Sequence, residues 1–106
     1  ETFVSWFRAS YPGVLIFAIP NGIRTSIRSA VKAEREGVVS GVPDLYIPKY
    51  FLFIEMKRRT KCVVSREQKL ILNYLNENGQ TAVVAKGCDE AISLVKAHIA
   101  EFHQRT

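Results

Sequence analysis

The sequence contains little cysteine and lacks any long apolar run. Its two cysteines among 106 residues, Cys62 and Cys88, are too far apart for a CxxC motif and have no histidines at zinc-finger spacing. This pattern indicates a reduced protein of the cytosolic type, in which free cysteine is a small buried apolar residue. The longest apolar runs, Val14–Ile19 and Tyr50–Ile54, fall far short of the roughly 20 residues of a membrane span, and no signal-peptide pattern opens the chain. We therefore expect a soluble, cytoplasmic protein that does not bind a membrane.

Acidic residues are also scarce relative to basic ones. Ten Asp and Glu stand against 15 Lys and Arg, which gives a net charge of +5 and a pI near 9.5. Such an excess favours a polyanionic partner, with nucleic acid ahead of an anionic membrane surface. The remaining composition, 47% apolar and 24% charged, excludes extensive disorder and collagen-like order. Since no repeat, linker or low-complexity tract interrupts the chain, residues 1–106 are expected to form one domain.

Hydrophobic periodicity and turn residues predict eight short elements in the order αβαββαβα. The predicted elements are a helix over 1–10, a buried strand over 14–19, a helix over 25–36 that ends at Gly37, strands over 44–48 and 51–57, a helix from a Ser65 capping box to Asn78 that ends at Gly79, a strand over 81–85 and a last helix capped by Asp89. The side chains expected to face the core are Phe3, Trp6 and Phe7 in the first helix, Ile27, Ala30 and Val31 in the second, Leu70, Ile71, Tyr74 and Leu75 in the third, and Ile92, Val95, Ile99 and Phe102 in the last. The two histidines, His98 and His103, share no helical face and indicate no function.

The two central strands are predicted to form an antiparallel hairpin around a two-residue loop, Lys49–Tyr50. In that register Asp44 lies directly opposite Glu55, with Cβ atoms about 4.5 to 5.5 Å apart. Period-2 alternation places Lys57 on the same face as Glu55. The hairpin thus brings two carboxylates and one lysine together.

Two neighbouring acids repel one another unless a cation lies between them, and hard oxygen ligands suit Mg²⁺ or Mn²⁺. A metal at Asp44 and Glu55 would activate a water molecule for attack on a phosphate, and Lys57 would orient that water or hold the phosphate. The alternative explanation of Glu55–Met56–Lys57 is an ordinary surface ion pair on a strand. Asp44, placed after a Gly-Val-Pro turn, favours the metal hypothesis.

Four blocks of the sequence resemble, in order and in spacing, the VRR-Nuc (virus-type replication-repair nuclease) branch of the PD-(D/E)XK nucleases. These blocks are Phe17–Gly22 with Arg24, Gly37–Leu45, Phe53–Lys57 and Ser65–Gln68. The resemblance spans nearly the whole chain. It implies an α/β, restriction-endonuclease-like fold with an αβββαβ core, in which a mixed sheet is flanked by helices.

The same resemblance implies roles for individual residues. The implied catalytic residues are Asp44, Glu55, Lys57, Gln68 and Glu1, and the implied metal ligands for Mg²⁺ or Mn²⁺ are Asp44, Glu55 and the backbone carbonyl of Met56. Two of these residues have a structural explanation as well. Gln68 completes the Ser65 capping box, and a helix N-terminus favours an acid such as Glu1.

Seven basic residues and Asn21, all outside this set, are candidates for contacting DNA. The candidates for DNA binding are Asn21, Arg24, Arg28, Lys32, Arg35, Arg58, Arg59 and Lys61. Three of them form one stripe of the second helix, and the last three belong to a basic run that leaves the hairpin. A solvated charged face is the usual explanation of such a stripe and is preferred when the active-site residues are left aside, and a tight turn alone explains Asn21–Gly22.

Together these features predict a Mg²⁺- or Mn²⁺-dependent, structure-specific DNA endonuclease. By resemblance to standalone phage-type members, we expect a homodimer that resolves four-way (Holliday) junctions in the cytoplasm of a bacterium or of a phage-infected host. Its interface would draw on Tyr50, Phe51 and Tyr11, or on the second helix. The alternatives are a flap or nicking repair nuclease, a nuclease module of a larger repair protein, and a non-catalytic basic DNA-binding module. The intact acid-and-lysine set argues against the last.

Overall fold

A computed structural model describes residues 2–20, 31–32 and 34–105. The elements are α1 (Thr2–Ser10), β1 (Phe17–Ala18), β2 (Leu45–Ile47), a 3₁₀ turn (Pro48–Tyr50), β3 (Leu52–Lys57), α2 (Arg66–Glu77), β4 (Thr81–Lys86) and α3 (Cys88–Arg105). Residues 31–32 and 34–35 are helical and belong to the helix predicted over 25–36; the rest of that prediction and the Asn21–Gly22 turn lie outside the described residues. In the part of the chain described, no helix has the length and apolar character needed to cross a membrane.

The strands form one mixed sheet in the order β1-β2-β3-β4. The first two pairings are antiparallel, and β3 and β4 are parallel. The parallel pair requires a crossover, which α2 supplies between the two strands. The predicted architecture, a mixed sheet flanked by helices, is confirmed.

The hydrophobic core lies on one face of the sheet, beneath α1 and α3. The strand residues Leu52 and Ile54 are 1% and 0% exposed, and they pack in one cluster with Phe7 of α1 and with Val95 and Ile99 of α3. Alternation along β3 directs the neighbouring residues, Phe53 and Glu55 among them, to the other face. The predicted inward faces of α1 and α3 are confirmed.

The predicted buried strand over 14–19 is wrong in extent and in burial. Only Phe17 and Ala18 pair with β2, and both are exposed, whereas Ile16 just before them is buried. The reason is position, because β1 lies at the edge of the sheet and, among the described residues, has a neighbouring strand on one side only. An apolar run by itself does not distinguish an edge strand from a central one.

The core-facing side of α2 also differs from the prediction. Leu70 and Tyr74 are 59% and 62% exposed. The half-buried residues of the helix are Gln68, Ile71, Leu72 and Leu75, which recur at the 3 and 4 spacing of a single stripe. The helix is therefore rotated so that Gln68 and its stripe face the sheet.

Two further predictions, for Val31 and for Asp89, are wrong. Val31 is 41% exposed and does not face the core. The last helix begins at Cys88, so Asp89 lies within its first turn and is not the cap. The glycine stops are confirmed, since Gly37 and Gly79 have φ values of +95° and +84°, in the left-handed region that favours glycine.

The hairpin register is confirmed, but its loop is longer than predicted. Leu45 pairs with Ile54 and Ile47 with Leu52, which is the expected alignment. The connection is a 3₁₀ turn followed by Phe51 in a left-handed conformation (φ 51°) instead of a two-residue loop. The turn tucks Tyr50 into the core at 3% exposure.

The two histidines hold Tyr50 in this position. His98 Nε2 lies 2.9 Å from the Tyr50 carbonyl oxygen, and His103 Nε2 lies 3.3 Å from the Tyr50 hydroxyl. They tie α3 to the hairpin turn, a role that their sequence spacing did not indicate. Because Tyr50 is buried, it is not available for the dimer interface to which it was assigned.

Asn76 of α2 covers the outer edge of β4. Its side-chain oxygen accepts a hydrogen bond from the Ala82 N–H (2.9 Å), and its amide nitrogen donates to the Ala82 carbonyl (3.1 Å). No strand of the described part of the chain pairs with β4 on this side, and the Asn76 side chain satisfies backbone groups that would otherwise be open to pairing with another chain.

Candidate active site

Asp44 and Glu55 lie side by side because of the hairpin register. Asp44 immediately precedes β2, and the pairing of Leu45 with Ile54 puts it opposite Glu55. The Met56 N–H donates a hydrogen bond to Asp44 Oδ2 at 2.9 Å, which fixes the Asp44 carboxylate against β3. The two acids are therefore brought together on the sheet face that is turned away from the core.

Glu55 is a buried acid with unequal oxygens. It is the one charged residue that is buried among the described residues, at 4% exposure. Oε2 accepts a hydrogen bond from Gln68 Nε2 (3.0 Å) and lies 3.6 Å from Lys57 Nζ. Oε1 is buried and has no hydrogen-bond partner among the described residues. An unpartnered buried carboxylate oxygen is costly, which makes Glu55 Oε1 a candidate for binding a cation.

Burial and the charge of Asp44 raise the pKa of the Glu55 carboxyl above its usual range. The nearby Lys57 ammonium and the Gln68 amide act in the opposite direction, because both favour the charged carboxylate. Desolvation and like-charge repulsion exceed these two contributions. A carboxylate in such surroundings gains from a bound cation, which would remove both penalties.

This raised pKa predicts how the stability of the metal-free domain depends on pH. The folded protein binds the Glu55 proton more tightly than the unfolded chain does, so this stabilisation is complete below the unfolded pKa and is lost as pH rises through the folded pKa. In EDTA, we expect the Glu55→Gln variant to lack this component of the pH dependence. Thermal melts of both proteins between neutral pH and about pH 4.5 test this. Parallel stability curves for the two proteins would contradict it.

Gln68 reaches Glu55 from the first turn of α2, where it also completes the helix cap. Ser65 Oγ accepts a hydrogen bond from the Gln68 N–H (3.1 Å), and Gln68 Oε1 accepts one from the Ser65 N–H (2.9 Å). The Gln68 Nε2 then remains to donate to Glu55. The capping-box explanation and the site explanation of Gln68 therefore hold together, since each uses a different atom of one amide.

Gly41, which the sequence indicated only as part of the Gly-Val-Pro turn before Asp44, sets the distance between this loop and the first turn of α2. Its φ is +89°, and a Cβ at this position would lie 2.7 Å from the Glu67 carbonyl carbon and 2.9 Å from the Gln68 backbone nitrogen. Backbone atoms cannot move aside as a flexible side chain can. The signal available in the sequence was a glycine three residues before Asp44, which alone does not show what the glycine touches.

We expect Gly41→Ala to displace the start of α2 and so to separate Gln68 from Glu55. The matched control is Gly79→Ala, because Gly79 has a similar φ of +84° but nothing within 4 Å of its would-be Cβ. Both variants should lose thermal stability through backbone strain. Only Gly41→Ala should also weaken Mn²⁺ binding in titration calorimetry, and equal affinities in the two variants would refute the contact's importance.

The donor set fits Mg²⁺ or Mn²⁺. Asp44 and Glu55 offer carboxylate oxygens, and Glu55 Oε1 is unpartnered among the described residues. The Met56 carbonyl belongs to the residue between Glu55 and Lys57. These are hard oxygen donors of the kind that both ions prefer. Residues 2–20, 31–32 and 34–105 contain no cluster of three His, Cys, Asp or Glu side chains, so water or phosphate oxygens would complete the coordination.

The basic candidates differ in environment. Lys57 is largely enclosed, with a side chain only 18% exposed, whereas the other described candidates are exposed. These exposed residues are Lys32, Arg35, Arg58, Arg59 and Lys61. The remaining predicted site residues, Glu1, Asn21, Arg24 and Arg28, lie outside the described residues.

Comparison with known proteins supports one family. No family model matches the sequence, and no curated protein matches it. A solved structure described as a VRR_NUC domain protein is similar to this chain with a TM-score of 0.78 and 29% sequence identity, over 93% of this chain and 83% of that one. Its fold agrees with the mixed sheet and flanking helices found here. The resemblance predicted from the sequence is confirmed, and the chain has the fold of a VRR-Nuc domain, a mixed α/β sheet consistent with a restriction-endonuclease-like core.

Proposed function

We propose that this domain is a Mg²⁺- or Mn²⁺-dependent DNA endonuclease whose active site is Asp44, Glu55, Lys57 and Gln68. The observation that carries the proposal is the Glu55 carboxylate, which is buried beside a second acid and keeps one oxygen without a described partner. A purely structural acid at this position would be expected to have both oxygens satisfied. The similarity to a VRR_NUC domain protein supports the same conclusion.

Each residue has a distinct task in phosphodiester hydrolysis. Asp44 and Glu55 would hold the ion, together with the Met56 carbonyl, while Gln68 keeps the Glu55 carboxylate in place through its hydrogen bond. Lys57, whose ammonium lies 3.6 Å from Glu55, would contact the phosphate that is attacked. When bound, Mg²⁺ or Mn²⁺ would lower the pKa of a coordinated water and offset charge on the phosphate. We expect products with a 3′-hydroxyl and a 5′-phosphate, and we assign no role to Glu1 beyond the sequence resemblance.

We further propose that the substrate is branched DNA and that the active form is a homodimer. Resolution of a four-way junction requires two cuts in opposing strands, and one chain supplies a single set of Asp44, Glu55 and Lys57. A two-fold symmetric pair would present two such sets to a nearly two-fold substrate. With Tyr50 in the core, the apolar surface for an interface must come from exposed residues, of which Phe51, Leu70 and Tyr74 are 47%, 59% and 62% exposed.

The test is incubation of the protein with labelled duplex, flap and four-way-junction DNA in Mg²⁺, Mn²⁺ or EDTA, with light scattering at micromolar concentration. Junction cleavage by a dimer in either metal, abolished by EDTA, is the expected result. A monomer that trims flaps and leaves junctions intact would favour the flap or nicking nuclease. DNA binding without cleavage in any metal would favour a non-catalytic DNA-binding module. Either of these results would reject the junction-resolving dimer.

A further inference from the structure

Beside the proposed active site, the ends of β3 and β4 carry a second group of basic residues. From their arrangement we infer that Lys86, Arg59 and Gly87 form a binding site for a DNA backbone phosphate next to the one that is cut. This inference rests on the proposed DNA-cleaving function. Lys86 and Gly87 were not candidates in the sequence, since neither belongs to a basic run or a recognisable motif.

Lys86 is brought to the active site by the parallel pairing of β3 and β4. Lys57 and Lys86 are register partners, so the two residues project from the same face of the sheet at neighbouring positions. Like charges at paired positions destabilise a sheet. Glu55 offsets the charge of Lys57, but no carboxylate of the described residues forms an ion pair with Lys86. A polyanion over this pair would remove the repulsion.

Arg59 lies across Gly87, the residue that follows Lys86. A Cβ at Gly87 would lie only 2.6 Å from Arg59 Cγ and 3.2 Å from its Cδ, so the aliphatic stem of the arginine occupies the space that a side chain would fill. The Gly87 N–H donates to the Lys57 carbonyl at 2.9 Å, which holds this glycine against the end of β3. The Gly87 backbone therefore supports the Arg59 stem at a fixed position next to Lys57.

These contacts explain why the site is suited to a phosphate. An arginine whose stem is already placed loses less conformational freedom when its guanidinium binds an anion. The guanidinium has no ion-pair partner among the described residues, and it is exposed to an incoming ligand. One acid lies near Lys86, since Glu90 Oε1 accepts a hydrogen bond from the Lys86 N–H (2.8 Å). That bond involves the Lys86 backbone and leaves its ammonium available. The DNA strand at Lys57 is a polyanion, and a neighbouring phosphodiester of that strand is the anion within reach of Arg59 and Lys86.

The experiment measures DNA binding by fluorescence anisotropy in EDTA, as a function of salt, on linear duplexes of different sequence. The plot of log K against log salt has a negative slope, and each lost phosphate contact lowers its magnitude by about 0.9 for duplex DNA. We expect this change for Arg59→Ala and for Lys86→Ala, with equal weakening on every sequence. Gly87→Ala should reproduce the Arg59→Ala slope, because its methyl group displaces the arginine stem.

Two controls separate the proposed contact from general damage. Gly79→Ala introduces the same kind of backbone strain, at φ +84°, but no atom lies within 4 Å of its added methyl group. This variant should therefore leave the salt slope unchanged. In an Arg59→Ala background the clash at Gly87 is absent, so adding Gly87→Ala should produce no further change in slope. A conformational effect of Gly87 alone would instead persist in that background.

The results distinguish this inference from the function on which it rests. If wild-type protein cuts DNA but Arg59→Ala and Lys86→Ala keep its salt slope, the phosphate site is refuted and the nuclease function stands. If Gly87→Ala weakens binding equally with and without Arg59, the arrangement of Arg59 on Gly87 is refuted. If wild-type protein neither binds nor cuts DNA in any metal, both proposals are refuted.

Discussion

Replacing either acid, as Asp44→Asn or Glu55→Gln, is expected to abolish Mn²⁺ binding in titration calorimetry and to abolish DNA cleavage with it. The two acids are the described carboxylates that meet at the site, so neither alone provides a sufficient ligand set. The substitutions preserve size, and an Asn at position 44 can still accept the hydrogen bond from the Met56 N–H. We therefore expect both variants to fold.

Stability measurements make this result specific. Each substitution removes the repulsion between the two acids, and Glu55→Gln also removes a buried charge, so in EDTA both variants should melt at a higher temperature than wild type at neutral pH. Added Mn²⁺ should stabilise only the wild-type protein, because a ligand raises stability only when it binds the folded state. Mn²⁺ binding that is unchanged in either variant would refute the metal assignment.

Replacing Lys57 with Ala is expected to lower the cleavage rate at saturating DNA by about a hundredfold or more, while binding of DNA changes little. A preorganised charge at the reacting phosphate typically contributes about 3 kcal/mol to the barrier. Lys57 is suited to this task because its side chain is only 18% exposed and lies against Glu55, which restricts the position of the ammonium.

Single-turnover cleavage and anisotropy, measured on the same substrate, separate the rate from the affinity. Lys49→Ala is the matched control, since it removes the same charge from the turn at the opposite end of β3 and should leave the cleavage rate unchanged. A Lys57→Ala protein that binds DNA tenfold more weakly but cuts at the wild-type rate would show that Lys57 is a binding residue. That result would refute the role of Lys57 in the chemical step.

Short sequence patterns predicted several features of the fold and of the candidate site. A hairpin centred on Lys49–Tyr50 predicted the register that places Asp44 opposite Glu55, even though the loop was predicted with the wrong length. The Ser65 capping box formed as expected, because it needs only four consecutive residues. The ordered motifs also indicated the VRR-Nuc fold, which the similar solved structure confirms. The first two inferences depend on residues that are close in sequence, and the third depends on the order and spacing of short motifs along the chain.

Only the tertiary structure decided which surfaces meet. The rotation of α2 exposes Leu70 and Tyr74 and turns Gln68 toward Glu55, and the apolar spacing within the helix is compatible with this orientation and with the predicted one. The isolation of Glu55 Oε1 and the docking of Arg59 on Gly87 likewise depend on segments far apart in the chain. Periodicity shows that a helix has an apolar side, but the packed partner selects the rotation that buries the most surface and satisfies the most polar groups. For that reason the acids of the site were evident from the sequence, whereas the groups that position them were not.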